Sequence, residues 1–264
     1  MTISPELETK DESPQDGYVR KLVTYESDGE RIESFLFEPL VPPRARVVFL
    51  HQHASNWDIG KREIAGLAGD PHQAFGPALA RAGVRVLAPD LVGFESRRGP
   101  GDGWLQYYNH AMHRLARGQL LMTKILRDVS AALAALARRG EEVGLAGHSH
   151  GGNVALFSAA LDERVAFACA SGALCSYREK ISQGTGLEMA LVIPSFASRF
   201  DLEDLVRCVA PRPLFIVSSK DDPYSADATD VLSRARTNAE HLRTRGPHKL
   251  DVQRFEAIVD WLAS

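Results

Sequence analysis

Cysteine is scarce: the 264 residues hold three, Cys169, Cys175 and Cys208. So small and odd a number in a long chain excludes a disulfide framework and points to free thiols in a reducing compartment. A charge of one sign is missing as well. Lys and Arg number 31 against 34 Asp and Glu, and no basic stripe marks a nucleic-acid binder. No apolar run approaches the roughly 18 residues that span a bilayer, so no membrane helix is expected. The opening stretch, MTISPELETKDESPQDG, has neither the basic start nor the apolar middle of a signal peptide. These absences predict a cytoplasmic protein without nucleic-acid or membrane partners, its oligomeric state left open. What is present is an ordinary globular composition, 44% hydrophobic and 25% charged, in a chain long enough to bury a core without metal or disulfide support.

Residues 1–17, rich in Glu, Asp, Ser and Pro, predict a flexible arm. No later composition shift marks a boundary, so 18–264 is expected to form one domain. Two β-like runs, around 18–26 and 31–38, are separated by the turn-forming Ser27-Asp28-Gly29. Continuous apolar runs of strand length follow at 46–51, 84–89, 142–147, 164–170 and 213–218. Such runs suit a parallel sheet covered on both faces. Between them, 119–137, 151–161 and 251–263 place apolar residues at helical spacing. Alternating strands and helices predict an α/β architecture: a doubly wound, mostly parallel central sheet with helices on both faces. Two connections, at about 91–118 and 172–201, are longer than compact domains usually tolerate and are expected to serve as lid or binding segments.

The sharpest local signal is Gly147-His148-Ser149-His150-Gly151-Gly152. EEVGLA before it reads as a buried strand and GNVALFSAAL after it as a helix, the strand–turn–helix setting of a nucleophile elbow. Glycines permit so abrupt a turn, because side chains beside the serine would collide. The serine then meets the positive end of the helix, where developing negative charge is favoured. The competing reading is a Gly-rich turn with an incidental serine. His51-x-His53 and His148-x-His150 also invite a metal reading. No further Asp/His set at matching spacing accompanies them, Asp58 being the one nearby carboxylate, so neither metal nor cofactor is expected.

With this motif the chain resembles the α/β-hydrolase superfamily over roughly 18–264. GLAGDPHQAF, VLAPDLVGFESRR, ALDERV and APRPLFIVSSKDDP resemble its dienelactone hydrolase and acetyl-xylan-esterase-like branch. Dienelactone hydrolases proper use a cysteine nucleophile, and Ser149 in its place favours ordinary ester chemistry. The resemblance implies the chain order nucleophile, acid, histidine. The run at 213–218 ends in Lys220-Asp221-Asp222-Pro223, whereas 171–177, the other place for an acid in this fold, holds no carboxylate. The carboxylate directly before the proline matches the family's acid, which selects Asp222 over Asp221. His248, in Arg245-Gly246-Pro247-His248 just before the last amphipathic helix, matches the base, with His241 as its competitor. For an oxyanion hole the resemblance implies the backbone N–H groups of His150 and of His53, the latter in His51-Gln52-His53 where relatives carry His-Gly-x. Trp104, Tyr107, His110 and His113 are candidates for a substrate wall, the alternative being a helical lid whose aromatics pack on the sheet edge. The implied activity is hydrolysis of a carboxylic ester of a small or medium-sized substrate through an acyl-enzyme. C–C bond or amide hydrolysis, or acyl transfer by the same residues, is the alternative; a non-catalytic binding protein of the same fold is a second one.

Overall fold

The computed structural model describes residues 6–137 and 141–264. Its strands are β1 (Glu8–Gln15), β2 (Tyr18–Ser27), β3 (Glu30–Pro39), β4 (Ala45–Leu50), β5 (Val84–Pro89), β6 (Val143–His148), β7 (Val165–Ser171), β8 (Leu214–Ser219) and β9 (Glu240–Thr244). They form one sheet in the order β1-β2-β3-β5-β4-β6-β7-β8-β9. From β5 to β9 neighbouring strands run parallel; β1, β2 and β3 form an antiparallel margin joined to β5. The helices are α1 (Lys61–Ile64), α2 (Phe75–Arg81), α3 (Gly103–Ala116), α4 (Leu121–Leu136), α5 (His150–Leu161), α6 (Tyr177–Gln183), α7 (Leu202–Val209), α8 (Ala228–Ala235) and α9 (Val252–Ala263).

The sheet is covered on both sides, as expected for continuous apolar strands. Every residue of β6 is buried. On one face, Val129 of α4, Val154 of α5 and Val206 of α7 share a core with Leu145 and Ile216. On the other, Phe75 and Leu79 of α2 and Ile258 of α9 pack with Phe49 and Val217. Helix α5 is buried from His150 to Ala159, so it lacks the polar face of a surface helix.

The arm expected over 1–17 is different in its described part. Residues 8–15 form β1, paired antiparallel with β2 from Glu8 opposite Thr24 to Gln15 opposite Tyr18. Its side chains are mostly exposed. The strand is held by ladder hydrogen bonds and not by an apolar face, and its charges suit an unpaired sheet edge; a polar edge strand therefore reads like an arm. Residues 1–5 of that arm lie outside the described residues. The long connections contain helices, α3 in 91–118 and α6 in 172–201. Among the described residues, no helix is long and apolar enough to cross a membrane.

Candidate active site

The parallel strands converge on the site with their carboxyl ends, where open α/β sheets place ligands. His53 follows β4, Ser149 follows β6, Gly172 follows β7, Asp222 follows β8 and His248 follows β9. Ser149 has φ 57° and ψ −118°, a backbone that L-residues rarely adopt. A Cβ on Gly147 would stand 2.4 Å from the carbonyl carbon of Gly151, and one on Gly151 would stand 2.1 Å from the Leu50 oxygen. Neither position accepts a side chain, which accounts for both glycines. The Ser149 N–H donates to Ser171 O at 2.8 Å and fixes the turn to β7.

His248 Nε2 lies 2.7 Å from Ser149 Oγ, and its Nδ1 lies 3.0 Å from Asp222 Oδ2. An ionised carboxylate only accepts, so the hydrogen-bond network assigns the proton to Nδ1 and turns the Nε2 lone pair toward the serine hydroxyl. The Asp222 side chain is 0% exposed and that of His248 25%. Burial works to raise the Asp222 carboxyl, but His248, the Tyr224 N–H and Ser225 together bring it below the usual carboxylate value. Asp221 points elsewhere: its Oδ2 accepts the Gly246 N–H at 3.0 Å. His241, in β9, is engaged with Ser218 Oγ at 2.8 Å.

Arg254 holds the histidine loop from below. Only 2% exposed, it donates to Pro247 O at 3.1 Å and Lys249 O at 2.5 Å, the carbonyls on either side of His248. His148 lies against the His248 ring, centroids 4.9 Å apart. Burial first, then the neighbouring His248, push its pKa down to about 3, so a neutral ring underlies the imidazole.

His150 opens α5, and neither its backbone N–H nor that of His53 has a backbone partner among the described residues. The loop carrying His53 is braced by His51, whose Nδ1 donates to Gln52 O at 2.8 Å and whose Nε2 accepts the Leu91 N–H at 3.0 Å. Burial lowers the His51 pKa to about 4; burial and His150 lower that of His53 to about 4. With both ring nitrogens of His51 bound to backbone, the first His-x-His pair has lost a metal ligand. Among the described residues no group of three His, Cys, Asp or Glu side chains could hold a metal ion. The cysteines are free, and Cys169 and Cys175 are buried; burial raises the Cys175 thiol to about 11.

Ser149 and His248 open into a cavity of about 330 Å³ that is also lined by Trp57, Trp104, Lys180, Glu188 and Tyr224. A larger open groove of about 900 Å³ borders β2 and α4, and no histidine or cysteine lines it. Of the four wall candidates, Trp104 lines the cavity shared by Ser149 and His248 and is 51% exposed, stacked on Tyr108. Tyr107 is buried behind the wall, its hydroxyl donating to Glu188 at 2.5 Å. His110 and His113 line a separate depression with Gly99 and Asp102. The helical period decides this, since 110 and 113 lie three apart on a face of α3 turned from the cavity.

The alpha/beta hydrolase family profile matches residues 47–262. The chain belongs to the alpha/beta hydrolase family. YtaP of Bacillus subtilis (strain 168), a hydrolase by name, is 29% identical over 206 residues, covering 74% of this chain and 66% of that protein. The match therefore spans just under two thirds of that relative. Among solved structures, an acetyl xylan esterase from Paenibacillus sp. R4 superposes with TM-score 0.70 at 16% identity, over 99% of this chain and 89% of that one. Acetyl xylan esterase 1 from a Thermoanaerobacterium species gives 0.68 at 16%, over 99% and 88%. A cold-adapted esterase from an Arctic intertidal metagenomic library gives 0.65 at 16%, over 97% of each chain. At these identities the likeness is one of fold.

Several residues of the site of this alpha/beta hydrolase family member carry no sequence motif. Tyr224 packs against His248 with centroids 4.7 Å apart, and its N–H donates to Asp222 Oδ1 at 2.9 Å. Glu188 bridges Tyr107 and His150. Burial alone would raise its carboxyl, but His150, Tyr107 and the Ala190 N–H bring it down to about 2. Arg254 did leave a signal. It stands four residues before Ile258 and eight before Leu262, all three buried, so a charge occupies an apolar helical position.

Proposed function

We propose that the protein is a serine hydrolase that cleaves a carboxylic ester of a small or medium-sized substrate. The observation that carries this reading is the unbroken chain from Ser149 Oγ through His248 to Asp222 at the floor of a cavity. Ser149 attacks the ester carbonyl while His248 Nε2 takes its proton, and Asp222 stabilises the imidazolium that forms. The tetrahedral intermediate collapses as the imidazolium protonates the departing alkoxide, which leaves as the alcohol with the acyl group on Ser149. Water, deprotonated by His248, then attacks the acyl-enzyme; the carboxylic acid leaves and Ser149 regains its proton. The free N–H groups of His53 and His150 are suited to hold the oxyanion. That the structural neighbours include named esterases agrees with this chemistry.

The two longest connections act here as the cavity walls, Trp104 coming from one and Lys180 and Glu188 from the other. Turnover of p-nitrophenyl butyrate tests the reading: the wild type hydrolyses it with or without EDTA, and Ser149→Ala does not. A folded wild type without turnover on a panel of activated esters supports the binding-protein alternative, and activity lost to EDTA and restored by zinc supports the metal one.

A further inference from the structure

The cavity beside Ser149 contains a lysine that meets no carboxylate among the described residues. Lys180, on α6, lines it and is 3% exposed. Among the described residues its ammonium makes one hydrogen bond, to Cys175 O at 2.9 Å, although an ammonium carries three donors. The acidic side chains around it are committed elsewhere. Asp227 accepts from Ser176 N and Oγ. Asp201 accepts the N–H groups of Tyr177, Arg178 and Leu202. Glu188 accepts from Tyr107, His150 and Ala190. None of the three pairs with Lys180.

A buried charge without a partner is costly, and buried polar atoms are as a rule hydrogen-bonded. Exceptions occur at several places among the described residues, and three of them share this cavity. Trp57 Nε1, His150 Nε2 and Asn153 Oδ1 are buried and unpartnered, and their residues line the same cavity as Lys180 and Ser149. The indole and the ammonium only donate, so they call for an acceptor. A full positive charge calls for a negative one, and a single ammonium matches a single carboxylate.

We propose that the substrate is an ester bearing a second, ionised carboxylate, and that Lys180 binds this group. The proposal rests on the reading of Ser149 as an ester-cleaving nucleophile. A neutral ester of the same shape would cover the ammonium without replacing its hydration, so the cavity discriminates against it. Lys180 is thus a specificity residue, with no part in the proton transfers.

Two matched pairs test this, one for each side of the ester bond: p-nitrophenyl hemiglutarate with p-nitrophenyl valerate, and 4-acetoxybenzoate with its methyl ester, each corrected for uncatalysed hydrolysis. In one pair Lys180→Met lowers kcat/KM for the carboxylate member by about 10- to 100-fold, the weight of a charge-assisted contact, and leaves the neutral member within about threefold. An unchanged ratio between members of both pairs overturns the proposal. Should Lys180→Met fail to fold, the wild type still decides: glutarate inhibits hydrolysis of p-nitrophenyl butyrate competitively at least about tenfold more tightly than glutaramide, whereas equal inhibition refutes the assignment. Failure of the underlying reading looks different. No ester is then cleaved, yet calorimetry shows glutarate bound by Ser149→Ala and not by Ser149→Ala/Lys180→Met; in that case the carboxylate site stands and the hydrolase reading falls.

Discussion

Asp222→Asn separates the orientation of His248 from the volume of the side chain that orients it. Asp222 Oδ1 accepts the Tyr224 backbone N–H at 2.9 Å, a donor that cannot rotate away. Oδ2 faces His248 Nδ1 at 3.0 Å and the Ser225 hydroxyl at 2.9 Å, and a hydroxyl can turn to accept instead. The asparagine oxygen is therefore kept at the Oδ1 place, and its NH₂ falls at the Oδ2 place, against the imidazole. Nδ1 must then accept, the ring proton moves to Nε2, and Nε2 can no longer take the Ser149 proton. The same change in a serine protease costs about 10⁴ in kcat, which is about 5 kcal/mol of barrier. Asp221→Asn is the control. Among the described residues its Oδ2 receives only the Gly246 N–H, which an amide oxygen also accepts, so the loss is within about 1 kcal/mol, or less than about tenfold. Steady-state kcat on p-nitrophenyl butyrate, with circular dichroism to establish folding, reads both. The reverse ranking, or a loss below about tenfold at Asp222, refutes the tautomer argument.

Arg254→Met frees the two carbonyls that flank His248; kcat falls about 10- to 100-fold with KM within about threefold, and Arg254→Lys recovers part of it. An unchanged kcat in a folded Arg254→Met protein would show that the loop holds its histidine without the guanidinium. Gly151→Ala drives a methyl group into the Leu50 carbonyl and leaves no folded, active protein, while soluble wild-type-like turnover would contradict the crowding at the elbow. Stability falls on the acid side. His51 and His148 have folded pKa values lowered to about 4 and about 3, chiefly by burial, so below the unfolded value of about 6.5 protons favour the unfolded chain. Their contribution is complete above about pH 6.5 and lost as the pH falls toward about 4 and then about 3, at up to about 1.4 kcal/mol per pH unit for each ring. A melting temperature flat from about pH 6.5 to 4.5 would show that these rings are not held neutral.

The covered half of the sheet was legible because parallel strands carry their burial in their own composition. The runs at 46–51, 84–89, 142–147, 164–170 and 213–218 lie within one residue of β4 through β8. The margins were not legible: β1 exposes most of its side chains and no residue of β9 is fully buried, so their order comes from ladder hydrogen bonds and not from apolar alternation. At the site, Ser149, Asp222 and His248 were singled out by a crowded turn, chain order and a loop position, and they stand in one hydrogen-bonded chain. The cavity wall was opaque for a different reason. Glu188 meets Tyr107 and His150 across 81 and 38 residues of chain, and no local pattern announces such a meeting. His110 and His113 show the converse: a residue type suited to a pocket, placed by helical period on another face.

Ser149 as the covalent nucleophile is the claim on which the rest depends, and a fluorophosphonate tests it most directly. Mass spectrometry of the intact protein should show a single adduct, and peptide mapping should place it on Ser149. Ser149→Ala should take up none, and His248→Ala should react far more slowly while remaining folded. An adduct on another residue, or a folded wild type that takes up no phosphonate, would contradict the account.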